Sequence, residues 1–336
     1  MLRIIKKAFE AATLTVAVSG VFMTLLPQQA IAKEEKGLDN DLPRLPRSSL
    51  LIGWPPFLLE LVDADLVVKL QPEDGQTRTQ DATSVYPSIA QDGKTVAYAR
   101  LKAGQPGRIL AISVYSLTTN QHTEYATGEF SGSTAISPDA SRLAYPDART
   151  KGSAELGPGS YHLHIIDLKT GKQILGPEIS SSPWPIFASW SPDSRRLAFS
   201  DSGEIRVWDS ETDKVWKVAD GDLPSWSPSG EWIAYLPWTP DPRMGWISSG
   251  RWPPECLLVH PDGTGRKILV DWTRPRNYRT FVEPPVWSPD SGTLLLNELD
   301  DVDKNTVTVH AVNVETLKVE TPFRHSYHIL AWVHGD

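Results

Sequence analysis

The sequence predicts an all-β fold: a single six-bladed β-propeller of four-stranded blades, closed by a composite blade drawn from both termini. Three observations carry that expectation. Five segments repeat one another: IAQDGKTVAYAR from Ile89, ISPDASRLAYPD from Ile136, WSPDSRRLAFSD from Trp190, WSPSGEWIAYLP from Trp226 and WSPDSGTLLLNE from Trp287, with a truncated copy, WVHGD, at Trp332. Successive copies begin roughly 36 to 61 residues apart, the scale of one four-stranded blade plus variable loops. Each is followed by a second repeated half in which apolar side chains alternate and then meet a polar turn: ILAISVYSLTTN, YHLHIIDLKTG, EIRVWDSETDK, CLLVHPDGTGR and TVTVHAVNVET. Finally, the two ends complement one another. DLVVKLQPEDGQTRT, from Asp65, has no inner strand of its own upstream, and the Trp332 copy has no room for outer strands after it. Pairing the two would close the ring and remove exposed sheet edges.

Taken in chain order, the elements begin with a leader. Arg3, Lys6 and Lys7 precede an uncharged run over 11–32 that ends in Ala30-Ile31-Ala32, the layout of a secretory signal peptide cleaved after Ala32. The alternative is a retained anchor, since 22 uncharged residues can just span a bilayer. Both readings export the folded part, to the periplasm or beyond the cell, or tethered to the membrane if the run is kept. Residues 33–50 mix charge, proline and serine without period and read as a flexible linker. The propeller then occupies 51–336 as one domain.

Composition agrees with this organisation and excludes other classes. Of 336 residues, 28 are proline and 23 glycine, which favours many turns over long helices, and 40% are apolar, which excludes a wholly disordered chain. One cysteine, Cys256, cannot build an intrachain disulfide. With 33 basic against 41 acidic side chains the net charge is −8, which argues against nucleic acid as a partner, because counterion release needs a concentrated basic surface.

Physical roles follow from position in the repeat. Ile89, Ile136, Trp190, Trp226, Trp287 and Trp332 are read as side chains that fill the wedge between twisted blades. Pro192, Pro228 and Pro289 fix φ in the turn that follows, and Asp193 and Asp290 accept backbone hydrogen bonds there. This Trp-Ser-Pro-Asp pattern, followed by a strand ending in Ala-Tyr or Ala-Phe, resembles the WD40-like PD40 repeats of the TolB C-terminal β-propeller family. The resemblance implies the fold and an exported location. The chain also resembles the propeller of prolyl-oligopeptidase-type enzymes, without a hydrolase domain to follow.

Loop length carries the functional expectation. In blades ordered A to D from the axis outward, the A–B and C–D turns share one rim and are short here, as in SPDS, LKTG and PDGT. The B–C and D–A connections share the other rim and are long, at 101–108, 148–160, 237–255, 271–285 and 299–305. Two of them are rich in aromatic and arginine residues: Trp238, Arg243, Trp246, Arg251 and Trp252 in the first, Trp272, Arg274, Arg276, Tyr278 and Arg279 in the second. Rigid rings and guanidinium forks suit recognition of a protein or peptide, with glycan as the next class. The expected function is therefore a non-enzymatic, extracytoplasmic binding or scaffold propeller using the long-loop rim.

The competing expectation is a hydrolase or lyase working at the central channel with or without a metal ion. No G-x-S-x-G, H-E-x-x-H, P-loop or C-x-x-C motif supports it. His162 with His164, and His325 with His328, lack a third ligand fixed by sequence, so no metal site and no cofactor is expected. Glu298, Asp300, Asp301 and Asp303 read as a solvated acidic loop, and Cys256 as a small buried side chain.

Overall fold

A computed structural model describes residues 48–54, 58–63, 67–69, 85–101, 110–119, 121–128, 133–147, 161–180, 186–237, 255–271, 280–281, 283–301, 306–325 and 328–334. The leader and most of the linker expected over 1–47 lie outside them. Among the described residues no helix is long and apolar enough to cross a membrane. Every regular element among the described residues is a strand.

The first three, β1 (Ser48–Trp54), β2 (Leu58–Asp63) and β3 (Val67–Lys69), come from the N-terminal part of the chain. Blade one follows as β4 (Val85–Ile89), β5 (Thr95–Leu101), β6 (Leu110–Ser116) and β7 (Gln121–Gly128). Blade two is β8 (Ala135–Ile136), β9 (Arg142–Asp147), β10 (Tyr161–Asp167) and β11 (Gln173–Ile179). Blade three is β12 (Ala188–Trp190), β13 (Arg196–Asp201), β14 (Glu204–Asp209) and β15 (Lys214–Asp220). Blade four is β16 (Asp222–Trp226), β17 (Ile233–Leu236), β18 (Glu255–Val259) and β19 (Lys267–Asp271). Blade five contains β20 (Thr280–Phe281), β21 (Val286–Trp287), β22 (Thr293–Asp301), β23 (Thr306–Asn313) and β24 (Val319–His325), and the last strand is β25 (His328–His334).

The expectation of six four-stranded blades, one of them a composite of both termini, is corrected on two counts. Five blades, not six, are complete units of contiguous chain standing in the ring; the sheet between the last and the first is assembled from opposite ends of the chain in the order β25-β1-β2-β3. Blade five departs from the four-stranded plan. Its inner strand is split, so that β20 and β21 both pair with β22. Pro284 and Pro285 fall in the gap and have no backbone N–H to donate to the ladder, which breaks the strand there.

All pairings are antiparallel, and the inner strands stand next to one another around the axis. Core layers lie between blades. Trp190 packs with Ala135, Leu163 and Ile165 of blade two, and Trp226 with Ala198, Ile205 and Val207 of blade three. Trp287 packs with Leu236, Cys256 and Leu258 of blade four, and Ile136 with Ala97 and Ile112 of blade one. Each is about 5–6% exposed, so burying these side chains removes a large apolar area from water. Ile89 is half-buried beside Val96 and Tyr98, and Trp332 stands opposite Leu50 in the terminal sheet.

Polar stitches reinforce the stacking. The hydroxyl one position before the repeat Ile or Trp accepts the backbone N–H of the next blade's equivalent residue, Ser88 from Ile136 and Ser189 from Trp226, both at 2.9 Å. Indole N–H groups donate backwards, Trp190 to the Ala135 carbonyl at 2.9 Å and Trp287 to the Ser225 carbonyl at 3.0 Å. The guanidinium of Arg142 lies over the Trp190 ring and that of Arg196 over the Trp226 ring, 5.3 and 5.1 Å from the centroids.

The Ser-Pro-Asp turns have one internal bonding scheme. Ser288 Oγ donates to Asp290 at 2.6 Å and accepts the Thr293 N–H at 2.8 Å, while Asp290 accepts the Gly292 N–H at 2.9 Å. Asp139 repeats the pattern with Ser137 and Ser141; burial works upward on its pKa, but these bonds outweigh it and hold the carboxyl below its ordinary range. Asp193 accepts the Arg195 N–H in the same way. Pro192 and Pro228 sit at the corresponding turn positions of blades three and four, and Pro289 at that of blade five.

Candidate binding rim

The side-chain alternation of a strand and the short turns fix two unlike rims. A–B and C–D turns close one within a few residues. On the other, blade three uses a tight B–C turn through Ser202 and Gly203 and passes into blade four through Gly221 alone. No other residue fits at Gly221, because a Cβ there would lie 2.5 Å from the Leu236 carbonyl oxygen and 2.6 Å from the Tyr235 ring. Blade four is the opposite case, with 17 residues separating Pro237 from Glu255 and eight separating Asp271 from Thr280.

Those two excursions share an anchor. Glu255 opens β18 where the first segment returns, and Asp271 closes β19 where the second departs; the two are direct cross-strand partners. Opposed residues in an antiparallel pair stand about 5 Å apart, so both segments are rooted at one place on the rim. The second then re-enters as β20, with Thr280 opposite Leu299 and Phe281 opposite Glu298, which carries it from blade four to blade five. The ten residues expected to contact a partner, Trp238, Arg243, Trp246, Arg251, Trp252, Trp272, Arg274, Arg276, Tyr278 and Arg279, lie outside the described residues; their roots do not.

Further acidic groups stand toward the long-loop ends of blades four and five. Asp222 opens β16 next to the axis, and its Oδ1 accepts the Leu223 N–H at 2.7 Å, with Leu223 at a φ of 55°. Burial pushes the Asp222 carboxyl up to about 6, against the opposing pull of hydrogen bonds from the Leu223 backbone and the Ser200 hydroxyl. Glu283, just before Pro284, is pushed by burial up to about 8. Glu298 Oε2 and His310 Nε2 meet at 2.6 Å with side chains 2% and 8% exposed. The strand alternation that puts Leu294 and Leu296 in the core shared with blade four puts Glu298 on the same face.

Blade three's edge is balanced instead. Asp201 accepts the Ser180 N–H at 2.9 Å and lies 3.5 Å from Arg206, which also meets Glu204 at 2.9 Å. Lys217 reaches Glu204 at 3.0 Å and Asp220 at 2.7 Å, and those two carboxylates raise the pKa of its ammonium, Asp220 more than Glu204. Such half-exposed pairs add little stability, but they neutralise the cations of this sector.

The other sequence candidates fall elsewhere. His164 is buried with its ring 5.4 Å from Tyr145, and His162 Nδ1 is 3.4 Å from the Gly176 carbonyl. His325 and His328 end β24 and begin β25. Cys256 is fully buried, and burial pushes its thiol pKa well up, which suppresses the reactive thiolate. The expectation of a solvated acidic loop at 298–303 is corrected: Glu298, Asp300 and Asp301 belong to β22, Glu298 is buried, and Asp303 lies outside the described residues. Among the described residues no group of three His, Cys, Asp or Glu is arranged to hold a metal ion.

The sequence matches no protein-family model and no curated protein. Solved structures share the fold. TolB from Acinetobacter baumannii is 14% identical with a TM-score of 0.59 over 85% of this chain and 66% of its own; the present chain thus spans just under two thirds of that protein. A protein designated TolB from Agrobacterium tumefaciens is 17% identical with a TM-score of 0.55, over 85% of this chain and 92% of its own. An oligogalacturonate lyase from Vibrio parahaemolyticus is 13% identical with a TM-score of 0.52, over 80% and 72%. A shared propeller at such identities hosts both TolB proteins and a lyase, so function has to be argued from the site.

Proposed function

We propose that this chain is a non-enzymatic binding propeller, exported from the cytoplasm, that presents the blade-four side of its long-loop rim to a protein or peptide. The observation that carries this reading is the Glu255–Asp271 pairing. It roots the two aromatic and arginine-rich segments side by side, which supports reading their ten residues as one patch. Rings and guanidinium groups concentrated in one patch have the composition of binding hot spots. The acids at the two roots, Glu255 and Asp271, favour arginines gathering near them. The likeness to TolB propellers supports the fold of this reading, and the leader-like run over 11–32 its exported setting.

Affinity capture with the wild-type protein and the Trp246→Ala and Arg276→Ala variants tests the proposal. Loss of the same captured species in both variants supports one shared patch; unchanged capture by both refutes it.

A second reading, a lyase or hydrolase, is favoured by the raised Glu283, since perturbed titrating groups gather at catalytic centres, by the buried Glu298–His310 contact, and by the lyase among the structural neighbours. Turnover of oligogalacturonate or of a broad ester and peptide panel, abolished by His310→Gln, would establish it over the binding reading.

A further inference from the structure

Every junction between consecutive blades from one to five is tied by one of two recurring bonds at the inner strand. In the first, the hydroxyl just before the repeat residue accepts the N–H of the next blade's repeat residue: Ser88 ties blade one to two, and Ser189 ties three to four. In the second, the repeat indole donates to the carbonyl just before the preceding blade's repeat residue: Trp190 ties blade three to two, and Trp287 ties five to four. The two bonds alternate around this arc.

The terminal sheet, whose inner strand β25 stands between β21 and β4, breaks the alternation on both sides. On its blade-five side the hydroxyl position is Val286, which has no side-chain acceptor, and the indole is that of Trp332, whose Nε1 is buried without a hydrogen-bond partner. The cations over Trp190 and Trp226, Arg142 and Arg196, lie six residues after the preceding repeat residue, and the equivalent before Trp332 is the uncharged Thr293. On its blade-one side the hydroxyl position is Ala331 and the repeat residue is Ile89, so neither bond can form. Blade one adds a second orphan on that side. Val96, Tyr98 and Tyr115 cluster on the face turned away from Ala97, Ile112 and Val114, which pack with Ile136 of blade two. Ser113 stands opposite Tyr98 on the same face, 1% exposed, and its hydroxyl has no partner. A polar group buried without a partner loses its hydration with no bond in return.

We infer that the terminal sheet is a clasp: β25-β1-β2-β3 releases from blades five and one as a unit, while the junctions among blades one to five stay closed. Inside the sheet, antiparallel ladders join each strand to the next, so it can part from its neighbours without coming apart. Separation at its two sides breaks neither recurring bond and rehydrates Trp332 Nε1 and Ser113 Oγ, whereas opening any other junction breaks a bond already made. Sub-global opening follows the least costly boundary. Release frees one side of blade five, whose β20 receives the second rim segment from blade four.

The test compares two thiols in the full chain. Native Cys256 is buried in the blade four–five core, and Ser113→Cys places a second thiol of similar size on the blade-one side of the clasp. Labelling at each site by a thiol reagent is followed by mass spectrometry of digests, in native buffer and in low urea, with each rate taken relative to the same site in the unfolded chain. The expected result is labelling at position 113 at least about tenfold faster than at 256, with a weaker dependence on urea. Equal rates with one urea dependence, or faster labelling at 256, overturn the proposal. Ala331→Ser distinguishes release of the clasp from fraying of blade one alone, because it supplies a hydroxyl at the position from which Ser88 and Ser189 act. It should slow labelling at 113 by about threefold or more and leave 256 unchanged. Fast labelling at 113 that does not respond to Ala331→Ser also overturns the proposal, in favour of fraying.

Discussion

Glu255 and Asp271 stand opposite each other across β18 and β19, and each is the root of one of the two aromatic and arginine-rich segments. A register of two residues therefore joins stretches that are far apart in sequence. Because a one-residue slip in an antiparallel pair turns every side chain to the other face, this root is held by the packing of the blade beneath it: Cys256, Leu257 and Leu258 are fully buried.

Wedge side chains between blades should dominate stability. Trp226→Ala, which empties a site in the blade three–four core, is expected to cost about 3–5 kcal/mol in urea unfolding. Arg196→Ala removes the cation over that ring together with its 4.0 Å contact to Asp193, and should cost about 0.5–1 kcal/mol.

Much of this core was legible in the sequence, because a repeated Trp or Ile before Ser-Pro can only be the same structural position used many times. The serine hydroxyls of Ser88 and Ser189 were less legible, since their partners are backbone groups of the following blade and leave no mark of their own. The split of the inner strand in blade five was signalled by Pro284-Pro285; the pairing of the two chain ends was legible in their complementary fragments, but the sheet they form is not a unit of contiguous chain, and the count of six is corrected to five. Glu298 was misread as loop because the acidic run after it looked solvated, although the alternation Leu294, Leu296, Glu298 already placed its side chain on the core face. His310 carried no sequence signal, as its role depends on a cross-strand neighbour.

Burial of Glu283 predicts a pH dependence of definite sign. Its folded value of about 8 lies above the ordinary 4.5, so the stability it contributes is fully present below about pH 4.5 and is lost as pH rises through 8. Asp222 acts in the same direction between 3.8 and about 6. Unfolding free energy measured from pH 4.5 to 9 should fall across this window, and Glu283→Gln should flatten the fall and raise stability at pH 9, by an amount on the order of a few kcal/mol.

The buried Glu298–His310 contact should be costly to break from one side. His310→Ala leaves Glu298 Oε2 without its 2.6 Å partner next to Leu296 and is expected to cost about 2–4 kcal/mol. The double variant Glu298→Leu, His310→Leu should cost less than the single one, as read from denaturant midpoints at constant slope.

Cys256 should react with a thiol reagent only after unfolding. Fewer than one label per ten chains is expected after an hour in native buffer and about one per chain in denaturant, since a buried thiol with a raised pKa offers almost no thiolate.

The binding reading stands or falls on which rim meets the partner. Photo-crosslinking residues placed singly at Trp246, Arg276 and, on the short-turn rim, Thr264, and irradiated in the cells that make the protein, measure this directly. A common protein adduct from positions 246 and 276, with none from 264, is the predicted result. Adducts from position 264 alone, or none from either loop position, would contradict it.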